Sequence, residues 1–180
     1  MKIMAISAHP DDIEINCAGT LAKFHKQGHS IVMCNCCSGN AGHFVIPPNE
    51  LERIRLQESK NSATLIDAEH ISLGYGDMSL YYQSKEARDR LTDILRSEKP
   101  DLIITHTPED YMSDHVAVAH LVFDATFAAS LPHYRTACGE GFADLCPVYY
   151  MDNLGGFHFE PTEYVDIIKL QNVSKGNKKK

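Results

Sequence analysis

The sequence predicts an α/β domain: a Rossmann-like, doubly wound, mostly parallel sheet with helices on both faces. Three observations predict it. Short, continuous apolar runs recur along the chain, as expected of strands buried on both faces. Segments of helical period and length separate them. Strands alternating with helices in this way imply right-handed βαβ units.

Residues 2–8 form the first run. A helix follows, with Ile13, Cys17, Leu21 and Phe24 on one stripe and Gly28 near its C-terminus. Residues 30–37 are β-branched and apolar and make a second strand. A loop from Ser38 through His43 continues to Pro47 and Pro48. Asn49 with Glu52 three residues later gives a capping signal for a helix over about 50–66. Ile71-Ser72-Leu73 is a brief strand, followed by the loop Gly74-Tyr75-Gly76-Asp77. A helix over 84–98 carries Ala87, Leu91, Ile94 and Leu95. Pro100 breaks the chain before the strand 102–105, and the polar loop 106–114 leads into an apolar helix over 115–129. Residues 148–151 form another strand, and Tyr164-Val165-Asp166-Ile167 reads as a short one. A single domain over 1–170 with a disordered basic tail over 171–180 is the expected organisation.

Composition narrows the function. A hydrophobic fraction of 43% and a charged fraction of 23% suit one ordinary globular domain of 180 residues. With a net charge of −7 and few clustered basic residues, no nucleic-acid partner is expected. Neither a membrane-length apolar run nor a signal-peptide pattern is present, so a cytoplasmic protein without a membrane partner is expected. Six cysteines, Cys17, Cys34, Cys36, Cys37, Cys138 and Cys146, show no C-x-x-C spacing. They read as reduced core residues; a thiolate metal cluster is the alternative.

In an open parallel sheet, ligands bind beyond the carboxyl ends of the strands. The loop after the first strand is Ala8-His9-Pro10-Asp11-Asp12. It lacks the G-x-G-x-x-G of dinucleotide sites, which disfavours a nucleotide cofactor. An imidazole and a carboxylate here can hold a divalent metal, leaving the second carboxylate free as a base. A third ligand is expected from the loop after strand 102–105, which offers His106 and Asp114-His115. Asp11 and Asp12 could instead cap the following helix. A metal-dependent phosphoesterase would also suit such clusters, with a richer ligand set for two ions.

Ala8-His9-Pro10-Asp11-Asp12 with Gly19-Thr20-Leu21 resembles the opening motif of the PIG-L (LmbE-like) zinc-dependent N-deacetylases. Arg55 with Glu58, Gly76-Asp77, Ser113-Asp114-His115 and Tyr164–Ile167 extend the likeness over about residues 2–167. The resemblance implies His9, Asp12 and His115 as zinc ligands, with other divalent transition metals able to replace zinc. It implies Asp11 as general base, Arg55 and Asp77 at the substrate pocket, and Asp114 as the group that orients a ligating imidazole. Arg55 also reads as an ion pair with Glu58. Tyr75, Tyr81, Tyr82 and Tyr111 are candidates to line a sugar site. The implied reaction removes acetyl from an amino sugar or related small glycoside, giving acetate and a free amine. The implied partner is a small N-acetylated molecule, and a homo-oligomer stays open.

Two departures stand out. Met112 occupies a position where the family often has histidine; His106 is the candidate replacement. The family's late histidine segment has no counterpart, so a short C-terminus is expected. A catalytically weakened metal- or sugar-binding member of the fold is the alternative that follows.

Overall fold

The computed structural model describes residues 1–168. The basic tail expected over 171–180 lies outside them. Five strands alternate with helices in this order: β1 (Lys2–Ser7), α1 (Asp12–Asn16), α2 (Ala18–Lys26), β2 (Ser30–Cys37), α3 (Pro48–Thr64), β3 (Glu69–Tyr75), α4 (Lys85–Glu98), β4 (Leu102–His106), α5 (Ser113–Ala129) and β5 (Val148–Met151). The sheet order is β3-β2-β1-β4-β5, and every neighbouring pair is parallel.

The doubly wound prediction therefore holds. Side chains of β1 alternate between two cores, as the two-residue strand period requires. Ile3 and Ala5 join Ile13, Leu21, Met33 and Ala63 beneath α1, α2 and α3. Met4 and Ile6 join Leu91, Leu95, Val118 and Leu121 beneath α4 and α5. The chain leaves β1 toward β2 on one side and returns to place β4 on the other. The split between β1 and β4 is a topological switch point, the place where such sheets bind ligands.

Several boundaries differ from expectation. The helix after β1 is two pieces, broken at Cys17 with φ −141° and ψ 1°, where Asn16 and Gly19 flank it with weak helix formers. Asn49 does not cap α3; the cap position is Pro47, and Pro48 opens the helix with the φ that proline fixes. Ser84 does cap α4, accepting the Ala87 N–H at 3.2 Å. Helix α5 begins two residues earlier than expected, at Ser113. Tyr164–Ile167 is not a strand. Instead Ile167 lies against Gly19, where its Cδ1 would come within 2.5 Å of a Cβ, so the missing side chain admits this segment beside α2.

Among the described residues no helix is long and apolar enough to cross a membrane. All six cysteines are free; Cys17, Cys34, Cys36, Cys37 and Cys146 are buried, as the core reading expected, but Cys138 is exposed and is not a core residue.

Leu121 is fully buried between the sheet and α4. Leu121→Ala should lower unfolding stability by about 2–5 kcal/mol with an unchanged denaturant slope, measured by urea titration of the metal-free chain.

Candidate functional site

The loops that follow β1 and β4 meet at the switch point. Each delivers a carboxylate and an imidazole to one cluster. Asp12 lies at its centre, only 7% exposed. Its Oδ2 accepts the His9 backbone N–H at 2.6 Å, which ties the carboxylate to its own loop. His9 Nδ1 is 3.6 Å from the same oxygen, and His115 Nε2 is 3.3 Å from Oδ1. His106 Nε2 is 3.2 Å from Oδ2. That nitrogen also accepts the Ala8 N–H at 3.0 Å, and a nitrogen that accepts cannot donate to Asp12 as well.

The far side of each ring is held. His9 Nε2 donates to Asp114 at 3.0 Å, and His115 Nδ1 donates to Asp110 at 3.1 Å. Carboxylates behind both imidazoles fix which nitrogen faces Asp12. Asn35, a buried amide in β2, donates to the His9 carbonyl at 3.0 Å and to Ser7 at 3.0 Å. His70 in turn donates to the Asn35 oxygen at 2.9 Å. The His9 backbone is thus anchored from the neighbouring strand.

Electrostatics follow from burial and these partners. Burial would raise the Asp12 carboxyl, but the imidazoles of His115 and His9 overcome it and hold the group well below the usual carboxylate range. Burial alone would lower His9; Asp12 and then Asp114 retain its proton and raise it to about 9. His115 is raised in the same way by Asp12 and Asp110 against burial. Burial wins at His106, which is lowered, in keeping with a neutral ring that accepts from Ala8.

A divalent metal fits these residues. One donor atom each from His9, Asp12 and His115 lies within 4.8 Å of the others. Among the described residues the buried His115 Nε2 has no hydrogen-bond partner. An orphaned imidazole nitrogen beside a carboxylate oxygen, with its other nitrogen committed elsewhere, is a transition-metal donor set.

Asp11 stands apart from this cluster, at φ 125° and ψ −26°. Such a backbone is strained for any residue with a side chain. It aims the carboxylate outward, where it accepts from Arg55 Nη2 at 2.6 Å. Arg55 also donates to the Pro10 carbonyl and, at 2.9 Å, to Glu58. The expected ion pair with Glu58 is therefore seen, together with one to Asp11. Asp77 accepts the Gly39 and Ala41 N–H groups, each at 2.8 Å, so both of its oxygens hold the 38–42 loop. Gly39 sits at φ 70°, and a Cβ there would lie 3.1 Å from Pro10 Cδ. Glycine lets that loop pass close over the first motif.

These groups line one cavity of about 690 Å³: His9, Asp12, Asp114 and His115, together with Asp11, Arg55 and Asp77. Ile15, Ile46, Leu51, Ile54 and Leu154 supply an apolar wall. Tyr111 and Met112 also line it. Tyr75 does not; its hydroxyl donates to Glu86 at 2.8 Å. Tyr82 instead packs on His120 of α5, and Tyr81 is likewise outside the lining. His106 is not a replacement for a histidine at position 112, being 1% exposed and behind Asp12 rather than on the cavity wall. Sequence reasoning missed Asn35 and Asp110. Asn35 carried a signal, as a lone amide inside an apolar strand; Asp110, one of several polar loop residues, carried none.

Comparison with known proteins adds to the geometry. Residues 4–126 match the PIG-L family, described as GlcNAc-PI de-N-acetylase. The diacetylchitobiose deacetylase of Thermococcus kodakarensis is 28% identical over 180 residues, covering 96% of this chain and 66% of that protein. Among solved structures, the N,N'-diacetylchitobiose deacetylase of Pyrococcus horikoshii superposes with a TM-score of 0.84 at 26% identity, over 97% of this chain and 67% of that one. The 4-carboxy-2-hydroxymuconate hydratase GalB of Pseudomonas putida gives 0.85 at 21% identity, over 96% and 75%, and shows the fold alone. The chain spans slightly less than two thirds of the length of the curated relatives it matches, at 66%, 63% and 64%.

The raised His9 sets a pH dependence for the metal-free chain. Its folded pKa of about 9 exceeds the ordinary 6.5, so its contribution is complete below that value and is lost as pH rises through about 9. Unfolding stability of the metal-free chain should therefore fall between about pH 7 and about pH 9.5. His9→Gln should flatten that slope in parallel urea titrations, and an unchanged slope would refute the assignment.

Proposed function

The chain belongs to the PIG-L family, and we propose that it is a zinc-dependent hydrolase of N-acetyl groups on amino sugars or related small glycosides. The observation that carries this reading is the His9/Asp12/His115 donor set in the cavity lining, with a separate carboxylate, Asp11, in the same lining. The deacetylases among its relatives act on acetylated amino sugars by name, which supports the substrate class.

In this reading His9, Asp12 and His115 hold the zinc, which when bound lowers the pKa of water and polarises an amide carbonyl. Asp114 and Asp110 keep His9 and His115 in the tautomers that present a free nitrogen. Asp11 takes a proton from the attacking water as its oxygen bonds to the amide carbon. Arg55 donates to the Asp11 carboxylate and fixes its direction. When the carbon–nitrogen bond breaks, the proton passes from Asp11 to the departing nitrogen, leaving acetate and a free amine. Asp77 holds the 38–42 loop as a wall for the sugar, and the apolar wall excludes water from the far side. Such a site acts on a soluble small molecule.

Elemental analysis and acetate release from N,N'-diacetylchitobiose and other N-acetylglucosamine derivatives test the proposal. About one zinc per chain is expected, with Asp12→Ala and His115→Ala losing it. Asp11→Asn should keep the zinc and lower kcat by about 10²–10⁴-fold. A variant that loses both together would remove Asp11 from the base role. No bound metal, even with zinc in excess, would overturn the whole reading.

Zinc binding should also release protons. His9 must be neutral to ligate, yet its pKa of about 9 keeps it protonated at neutral pH in the metal-free chain. Calorimetry in buffers of different ionisation enthalpy should show about one proton or more released at pH ~7, with the His9 share vanishing above pH ~10.

A further inference from the structure

His9 presents two nitrogens to two different groups. One faces Asp12 and His115; the other faces Asp114 and, beside it, the thiol of Cys37. One donor atom each from His9, Cys37 and Asp114 lies within 4.8 Å of the others. We propose that these three residues form a second cation site, chosen by its thiol for thiophilic divalent ions such as Cd²⁺ or an additional Zn²⁺.

The placement of Cys37 sets it apart from the other buried cysteines. It is the last residue of β2, where the register with β3 shifts between Asn35 and Cys37. β3 carries one extra residue there, opposite position 36 at Leu73-Gly74, with Gly74 at φ 68°. Such an irregularity beside a site re-aims a side chain. The Cys37 backbone N–H donates to the Ala8 carbonyl at 2.7 Å, which holds it against the His9 loop. Its thiol is completely buried, and among the described residues it makes no hydrogen bond. An unpartnered sulfur aimed at an imidazole and a carboxylate is a ligand lacking only its ion.

The donor chemistry is mixed. One sulfur, one nitrogen and one oxygen favour zinc and its heavier congener over magnesium or calcium, which take oxygen ligands. His9 and Asp114 line the cavity, so an ion reaches the site from there. Binding replaces two protons, the thiol proton of Cys37 and the Nε2 proton that His9 donates to Asp114; both leave to buffer, and in the zinc-loaded chain His9 is left as an imidazolate anion. Asp114 also accepts the Met78 N–H at 2.9 Å, which keeps its carboxylate in place as the ion arrives. The site shares His9 with the proposed catalytic cluster, but its existence does not depend on hydrolysis.

The test is a cadmium titration of the full chain carrying Cys138→Ser, which removes the exposed thiol, after loading with one equivalent of zinc. The ultraviolet thiolate-to-cadmium charge-transfer band is the readout. The parent should develop a saturable band corresponding to one thiolate. Cadmium exchanged into His9/Asp12/His115 carries no thiolate and gives no band. Cys37→Ser should abolish the band while circular dichroism and the first zinc equivalent persist. Asp114→Asn, which keeps the thiol, should weaken cadmium binding by about 10-fold or more. A band of full amplitude in Cys37→Ser, or none in the parent at saturation, overturns the proposal. If the protein proves inactive on acetylated sugars, the band is still expected.

Discussion

A buried carboxylate without compensation costs several kilocalories per mole, and Asp12 is such a carboxylate. It is 7% exposed, yet among the described residues no lysine or arginine is paired with it. Three imidazoles and one backbone N–H surround it instead. Much of the architecture of this edge of the sheet follows from that constraint. The rings must come from loops that converge, and parallel strands on either side of a switch point make loops converge. Asp110 and Asp114 then stand behind the rings of His115 and His9, so a charge network spreads outward from one atom pair.

In the metal-free chain the same constraint is met by protons. His9 and His115 are raised, so each is driven toward a cation beside Asp12. A divalent ion would do the same work with a fixed charge and would also satisfy the orphaned His115 nitrogen. Protons and metal therefore compete for one set of lone pairs, which links folding stability, metal affinity and pH in this protein. His106 is outside that competition. Its nitrogen is committed to the Ala8 N–H, and its ring lies stacked on His115 with centroids 3.9 Å apart, serving as packing behind the cluster.

Most of the fold was legible because its signals are local. β2 and β5 were placed at their observed limits, since apolar or β-branched runs bounded by polar residues have few alternatives. Where the reading failed, a longer-range or competing cause intervened. Cys17 breaks a stripe that looks continuous in sequence. Pro48 overrode a capping pattern at Asn49 because a proline at the first helical position already fixes the entry. Tyr164–Ile167 had a strand's composition, but the segment lies beside α2 at Gly19 rather than pairing with the sheet. At the site, donor atoms of His9, Asp12 and His115 do converge, the set that the family resemblance implied. Asp110 and Cys37 could not be read. Their positions matter only because β2 and β4 flank β1, so that their carboxyl ends and the start of α5 open on one site, and no spacing in the chain records that.

Asp11 and Asp12 show how neighbouring identical residues acquire different chemistry. Both belong to one turn, and both could have capped α1. Asp12 is buried among rings and held far below the usual carboxylate range, so it is a permanent anion suited to hold a cation. Asp11 is thrown outward by a backbone at φ 125° and left half-exposed against Arg55. A carboxylate in that position is open to solvent, and Asp12 is not. The separation needs Pro10 before the turn and Gly39 over it, because a side chain at position 39 would meet the proline ring and the guanidinium at 3.1 and 3.3 Å. Environment, rather than residue type, divides the two roles. Strain at Asp11 persists because Arg55 grips both its carboxylate and the carbonyl of Pro10, so relaxing the turn would break two bonds to a charged partner.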